Sequence, residues 1–113
     1  MKEQLISLPT AILAKEKGFR EEVYHAYQPE LLEFPFDEDH NDHDDRYSAP
    51  TQSLLQRWLR EVHKIYVSPM FIGPDTNKFQ YRMDTPTDVY HSDWFDTWEE
   101  CLEAGLLEAL KLI

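Results

Sequence analysis

A chain of 113 residues with a formal net charge of −11 has room for one domain around one hydrophobic core. Its 42% hydrophobic and 13% aromatic content excludes wholesale disorder, because disordered chains are poor in aromatics. The charge argues against direct binding to free nucleic acid or to an anionic membrane surface, and no apolar run approaches the roughly 20 residues that span a bilayer.

The charge is unevenly placed. Residues 29–50 hold eight acids (Glu30, Glu33, Asp37, Glu38, Asp39, Asp42, Asp44 and Asp45) against Arg46 alone, which is seven of the eleven net negative charges. A partner chosen by electrostatics is therefore basic or metallic. Cys101 is the only cysteine, so no intramolecular disulfide forms and a reducing cytoplasmic setting is expected. Glu3 and Pro9 interrupt the pattern of a signal peptide.

In chain order, the first predicted element is a short helix over residues 8–18. Pro9 suits the first helical position, where its missing N–H costs nothing. Gly18 suits the left-handed position that ends a helix, with Phe19 as the hydrophobic contact beyond it. Residues 22–28 are rich in β-formers and read as a strand that Pro29 stops. Leu31, Leu32, Phe34 and Phe36 follow as apolar anchors of a short irregular pairing element. From Asp37 to Asp45 the chain is almost wholly acid and histidine. Residues 29–50 are accordingly expected as a long, solvent-exposed acidic loop, and that length marks the loop as functional or mobile.

Residues 49–64 read as an amphipathic helix. Leu54, Leu55, Trp58, Leu59 and Val62 form its apolar face, and Gln56, Arg57, Arg60, Glu61 and Lys64 lie opposite. A strand over residues 65–72 contains Pro69, which confines it to a sheet edge or a bulge. After a turn at 73–77, residues 79–84 alternate, with Phe79, Tyr81 and Met83 on one face, and the two strands form a hairpin. Residues 89–95 add a third strand. Thr97 and Glu100 form a capping box that opens the last helix. Trp98, Cys101, Leu102, Gly105, Leu106, Ala109, Leu110 and Ile113 share one face of that helix. Gly105 costs about 1 kcal/mol relative to alanine in mid-helix, so a neighbouring backbone or a Trp ring is expected to need the space. Leu107 and Leu112 widen the apolar arc, which points to a deeply buried helix or to contact with a second protomer. The expected fold is α+β: about three helices packed on one face of a small, mainly antiparallel sheet of three to four strands, with residues 1–113 as a single domain.

The candidate chemistry is sparse. Asp37, Asp39, Asn41, His43 and Asp45 alternate like calcium-loop ligands, but position six is Asp42 where glycine is needed and position twelve is Ser48 where glutamate is needed. Asp37, Asp39, His40, His43 and Asp45 are thus weak candidate ligands for a transition metal, without a rigid frame. No metal and no cofactor is expected. His91, Ser92 and Asp93 carry the letters of a catalytic triad, but adjacent residues cannot form one. Cys101, flanked by Glu99, Glu100 and Glu103 on an apolar helix face, reads as a core residue and not a nucleophile. His25 and His63 are isolated, and Glu61 interrupts the mild basic stripe of Arg57, Arg60 and Lys64. The three glycines stand too far apart for a phosphate loop. Trp94 and Trp98, clustered at the entrance of the last helix, are with Leu107 the candidate partner-binding residues.

Residues 49–61 (Ala-Pro-Thr-Gln-Ser-Leu-Leu-Gln-Arg-Trp-Leu-Arg-Glu) and 97–113, opening Thr-Trp-Glu-Glu-Cys-Leu-Glu-Ala-Gly, together with Lys15-Glu16-Lys17-Gly18-Phe19, resemble small uncharacterised proteins of bacteriophages and mobile elements in gut-dwelling bacteria. The resemblance implies cytoplasmic residence and a phage or mobile-element origin. That family has no established activity, so no residue role carries over. The expected function is that of a small non-enzymatic interaction or accessory protein that binds a protein partner or itself. One alternative is an acidic decoy that occupies the basic groove of a nucleic-acid enzyme. A second is a metal-binding module built on the acid and histidine segment.

Overall fold

The computed structural model describes residues 3–113. In chain order the elements are α1 (Leu8–Glu16), β1 (Val23–Tyr27), β2 (Leu31–Glu38), a 3-10 turn (His40–Asp42), β3 (Tyr47–Ser48), α2 (Gln52–His63), β4 (Tyr66–Gly73), β5 (Lys78–Asp84), β6 (Val89–His91) and α3 (Trp98–Lys111). The α+β class and its three helices match the expectation. The strands, all antiparallel to their neighbours, are divided between two three-stranded sheets, ordered β2-β1-β3 and β4-β5-β6.

α3 is the helix around which the rest is arranged. It packs on α1, on α2 and on β4 and β5 of the second sheet. Cys101, Leu102, Gly105, Leu106, Ala109 and Leu110 are its buried residues. They face Val67, Tyr81 and Met83 from the sheet and Leu55, Trp58 and Leu59 from α2, all within one core cluster. Gly105 shows how close the approach is. A Cβ there would lie 2.5 Å from Val67 Cγ1 and 3.2 Å from the Tyr81 ring. The neighbours that need the space are thus a valine methyl and a tyrosine ring, not a backbone or a Trp. Trp98, expected on the buried face, is 44% exposed. It is the first residue of the helix and reaches only the edge of Phe79, at 6.3 Å between ring centroids.

The helix ends follow local chemistry. Gly18 takes φ +94° after α1, and the Phe19 N–H donates to the Ala14 carbonyl at 3.0 Å while its ring is fully buried. The Thr51 hydroxyl accepts from the Leu54 N–H at the start of α2, and the Thr97 hydroxyl accepts from the Glu100 N–H at the start of α3, each satisfying one of the orphan donors of a helix N-terminus. Lys64 ends α2 in the left-handed region, at φ 58°. That bend folds the chain back so that the Ile65 N–H reaches the Leu59 carbonyl. Ile65, 5% exposed, thereby completes the apolar face of α2 in place of the expected Val62, which is 56% exposed.

In the second sheet Val67 pairs with Met83, Pro69 with Tyr81 and Phe71 with Phe79. This places the alternating apolar set on the face that α2 and α3 cover. The opposite face, including Tyr66, Ser68, Arg82 and Val89, is exposed. Pro69 lies on the edge strand β4 and Pro35 on the edge strand β2, where a missing N–H removes no ladder bond and discourages pairing with another chain. β6 ends at His91, short of the predicted Phe95. The ladder then skips to an isolated bridge between Phe79 and Phe95.

One polar group ties the helices together. Glu103 of α3 accepts from the Ser7 N–H at 3.0 Å, the Ser7 hydroxyl at 2.9 Å, the Thr10 hydroxyl at 2.5 Å and Gln52 Nε2 at 3.0 Å. Four donors from the starts of α1 and α2 thus converge on one partly buried carboxylate, which meets the requirement that a charge leaving water be fully hydrogen-bonded. Among the described residues no helix is long and apolar enough to cross a membrane.

Candidate functional site

Where a solvated acidic loop is expected, Asp37 and Asp42 to Asp45 are indeed exposed, but the chain between them is ordered as strand and 3-10 turn and is anchored by buried residues. β2 runs to Glu38, His40 is fully buried and Asn41 is 6% exposed. The composition misleads because the burial is polar. Asn41 Nδ2 donates to the Phe19 carbonyl at 2.7 Å, and its Oδ1 accepts from the Ser48 N–H at 2.7 Å. One amide side chain thus replaces two backbone partners. Lys15 Nζ reaches in from α1 to the carbonyls of His43 and Arg46, at 2.7 Å each.

The register of the first hairpin sets up the surroundings of His40. Val23 pairs with Glu38 while His25 pairs with Glu33, so residues 34–37 stand out of the ladder opposite Tyr24, an enlarged bulge. The bulge lays Phe34 over His40, at 4.4 Å between centroids, and under the Arg46 guanidinium, at 4.3 Å. Glu38 Oε1 is the meeting point, 2.6 Å from Arg46 Nη1 and 3.2 Å from both His40 Nδ1 and His43 Nε2. Burial pushes the His40 pKa down, and the nearby Glu38 opposes that shift without reversing it.

The candidate metal ligands do not converge. Asp39 caps the 3-10 turn through the Asn41 N–H and takes Arg20 Nε at 2.6 Å. Asp45 accepts from Gln28 Nε2. His40 and His43 turn to Glu38, a residue that no ligand spacing singles out, and Asp37 faces a cleft on the other side of the hairpin. Among the described residues no group of three or more His, Cys, Asp or Glu side chains is placed to hold a metal ion. Arg20, which also takes Asp42 at 2.8 Å, and Arg46 occupy the places a cation would take.

The remaining candidates have structural roles. The Ser92 hydroxyl accepts from the Tyr81 N–H and donates to the Asp93 carbonyl, extending the sheet beyond β6. Cys101 is fully buried, and burial pushes its thiol up to about 11, which suppresses the reactive thiolate. Arg57 is spent on Glu61 and Glu21, at 3.6 and 4.0 Å.

Among the described residues, two open surfaces combine features that suit recognition. The first is aromatic and lies where the second sheet outruns α3. Phe71 and Trp98 are 51% and 44% exposed, and Phe79 joins them at centroid distances of 5.5 and 6.3 Å. Trp94, 55% exposed, precedes Phe95, whose ring stacks on Tyr81. Leu107 is not part of this cluster. It lies half-buried in a separate depression beside Pro9, Phe95 and Ala104.

The second surface is a cleft of about 620 Å³ between the first hairpin, the N-terminal segment and the start of α2. The N-terminal segment is held there by a bridge between Leu5 and Thr51 and by the Ile6 N–H donating to the Pro50 carbonyl. Leu5, Val23, Ala49, Pro50 and Leu54 supply apolar lining, and Glu3, Glu22, Glu33 and Asp37 supply carboxylates. Sequence reasoning misses this site because its acids come from four separate stretches of chain. Compared with known proteins, the chain matches no protein-family model, no curated protein and no solved structure.

Proposed function

We propose that this protein is a small non-enzymatic interaction protein of phage or mobile-element origin that works in the cytoplasm by contacting a protein partner or a second copy of itself. The observation that supports this reading best is the open aromatic end. Large aromatic side chains left half out of water on rigid elements are the usual anchors of protein interfaces. The engagement of the candidate reactive groups in the fold supports it further. Ser92 and Cys101 are each engaged in holding the fold, and the histidines of the acidic segment turn to Glu38.

The test is sedimentation velocity over a range of concentrations, with capture from host extract in parallel, on the wild type and on a Phe71→Ser/Trp98→Ser variant. Concentration-dependent self-association, or a captured partner, that the variant loses is the expected result. A wild type that stays monomeric and captures nothing, or a variant that behaves identically, overturns the reading.

The acidic-decoy alternative has less free charge than residues 29–50 carry in sequence, since Arg20 from outside the segment pairs with Asp39 and Asp42. What uncompensated negative charge supports is recognition of a basic partner at the cleft.

A further inference from the structure

We propose that the cleft between the first hairpin and the N-terminal segment binds a short, extended, arginine- or lysine-bearing segment of a protein partner. The cleft shares no lining residue with the aromatic cluster of Phe71, Phe79 and Trp98, and the inference stands or falls independently of that cluster.

The size fits. At about 620 Å³ the cleft exceeds the neighbouring depressions, of about 490 and 500 Å³, and lies in the middle of the range of known binding clefts. Its shape favours a chain over a compact molecule. It shares Glu3, Leu5 and Leu31 with the first of those depressions, which in turn shares Gln4, Ser7 and Glu103 with the second. The three form one interrupted trough along the N-terminal segment.

The electrostatics select the occupant. Among the described residues no lysine or arginine lines any part of the trough. Among the same residues, none of Glu3, Glu22, Glu33 and Asp37 pairs with a lysine or arginine. The nearest compensating group is His25, 3.4 Å from Glu33. The contrast with the other side of the same hairpin is direct, because there Glu38, Asp39 and Asp42 are each matched by an arginine. Glu3 also accepts from the Ser53 hydroxyl, at 2.5 Å, which leaves its charge in place, and four carboxylates without a lysine or arginine partner around a partly apolar floor focus a negative potential in the cleft. A metal ion is disfavoured, since no three of these groups converge. The apolar lining from Leu5, Val23 and Leu54 suits the methylene stem of a lysine or arginine, whose charged head then reaches the carboxylates.

The experiment is fluorescence anisotropy with a short labelled peptide alternating arginine and leucine, and a matched peptide alternating glutamate and leucine. The wild type binds the first and not the second. A cleft variant, Glu22→Gln/Glu33→Gln/Asp37→Asn, weakens binding about tenfold or more. A control variant with the same change in net charge, Glu16→Gln/Asp44→Asn/Asp75→Asn, changes it less than about twofold. Trp98→Ser leaves it unchanged. Amide shift mapping on the wild type, which needs no variant to fold, places the perturbations at Leu5, Val23 and Leu54. Absence of binding, equal loss in both triple variants, loss in Trp98→Ser, or shifts confined to other surfaces overturns the proposal.

Discussion

The two sheets share one apolar core, to which the first adds Val23, Tyr27 and Tyr47, but they differ in what else holds them. The β4-β5-β6 sheet is fastened to α3 by apolar packing: Val67, Tyr81 and Met83 against Gly105, Leu106 and Leu102, all buried. The β2-β1-β3 sheet and its acidic segment lean on directed polar contacts: Asn41 on two backbone groups, Lys15 on two carbonyls, Arg20 on two carboxylates and Arg46 on Glu38. Packing energy grows with buried apolar area and leaves a periodic trace in the sequence. Hydrogen-bonded burial leaves none. A segment dense in acids is thus not thereby a loop, provided that its cations and amides come from elsewhere in the chain.

The contrast can be broken or sharpened by substitution. The largest effect belongs to the apolar side. Leu106→Ala, at a fully buried position, is expected to cost about 2–5 kcal/mol in urea or thermal unfolding. Asn41→Ala should come next, at about 1–3 kcal/mol, because it strands the Ser48 N–H and the Phe19 carbonyl without a partner in the interior. A cost below about 0.5 kcal/mol there, the size of an ordinary surface change, returns the segment to a solvated loop.

Gly105→Ala sets two terms against each other. Helix propensity favours alanine by about 1 kcal/mol. The new Cβ, however, meets Val67 Cγ1 at 2.5 Å, and Val67 is stiff at χ1 and 1% exposed. Overpacking of this kind costs about 1–3 kcal/mol, so a small net loss is expected. Adding Val67→Ala should recover part of it, a non-additivity read in a double-mutant cycle. Strict additivity would mean that the two groups do not touch.

The pH dependence follows from His40. Its pKa in the fold lies below its ordinary value of 6.5. Above 6.5 it is neutral in both states and contributes no pH dependence. As the pH falls below 6.5 the unfolded chain takes up a proton that the native state refuses, so stability drops until the native pKa is also passed. Urea midpoints should fall between neutral and mildly acidic pH, and His40→Gln should flatten that slope. An unchanged slope would place His40 in water. The smallest effect is expected from Arg20→Ala. Its guanidinium is solvent-exposed, and surface ion pairs contribute little to stability, so the variant's urea midpoint should stay close to that of the wild type.

The same division explains what was legible. Leu55, Trp58 and Leu59 at helical spacing, the alternation of Phe79, Tyr81 and Met83, the caps at Thr97 and Gly18 and the edge position of Pro69 are local patterns, and each is found where it reads. Trp98 and Val62 fit the same periodicity yet lie outside the core, one as the first residue of α3 and the other next to the last residue of α2. The 3-10 turn around His40 depends on Arg46, Lys15 and Phe19, which no short pattern links to it. Nor does any window of sequence bring Glu3, Glu22, Glu33 and Asp37 together. That takes the hairpin and the Leu5–Thr51 bridge.

The most direct measurement is native-state hydrogen exchange at the Ser48 amide. This N–H donates to no backbone group within the segment, only to Asn41 Oδ1 at 2.7 Å. A packed acidic segment predicts exchange that is slowed nearly as far as in the amides of α3, and released by Asn41→Ala. Exchange at the rate of an open chain in the wild type would contradict it and make residues 37–45 a loop after all.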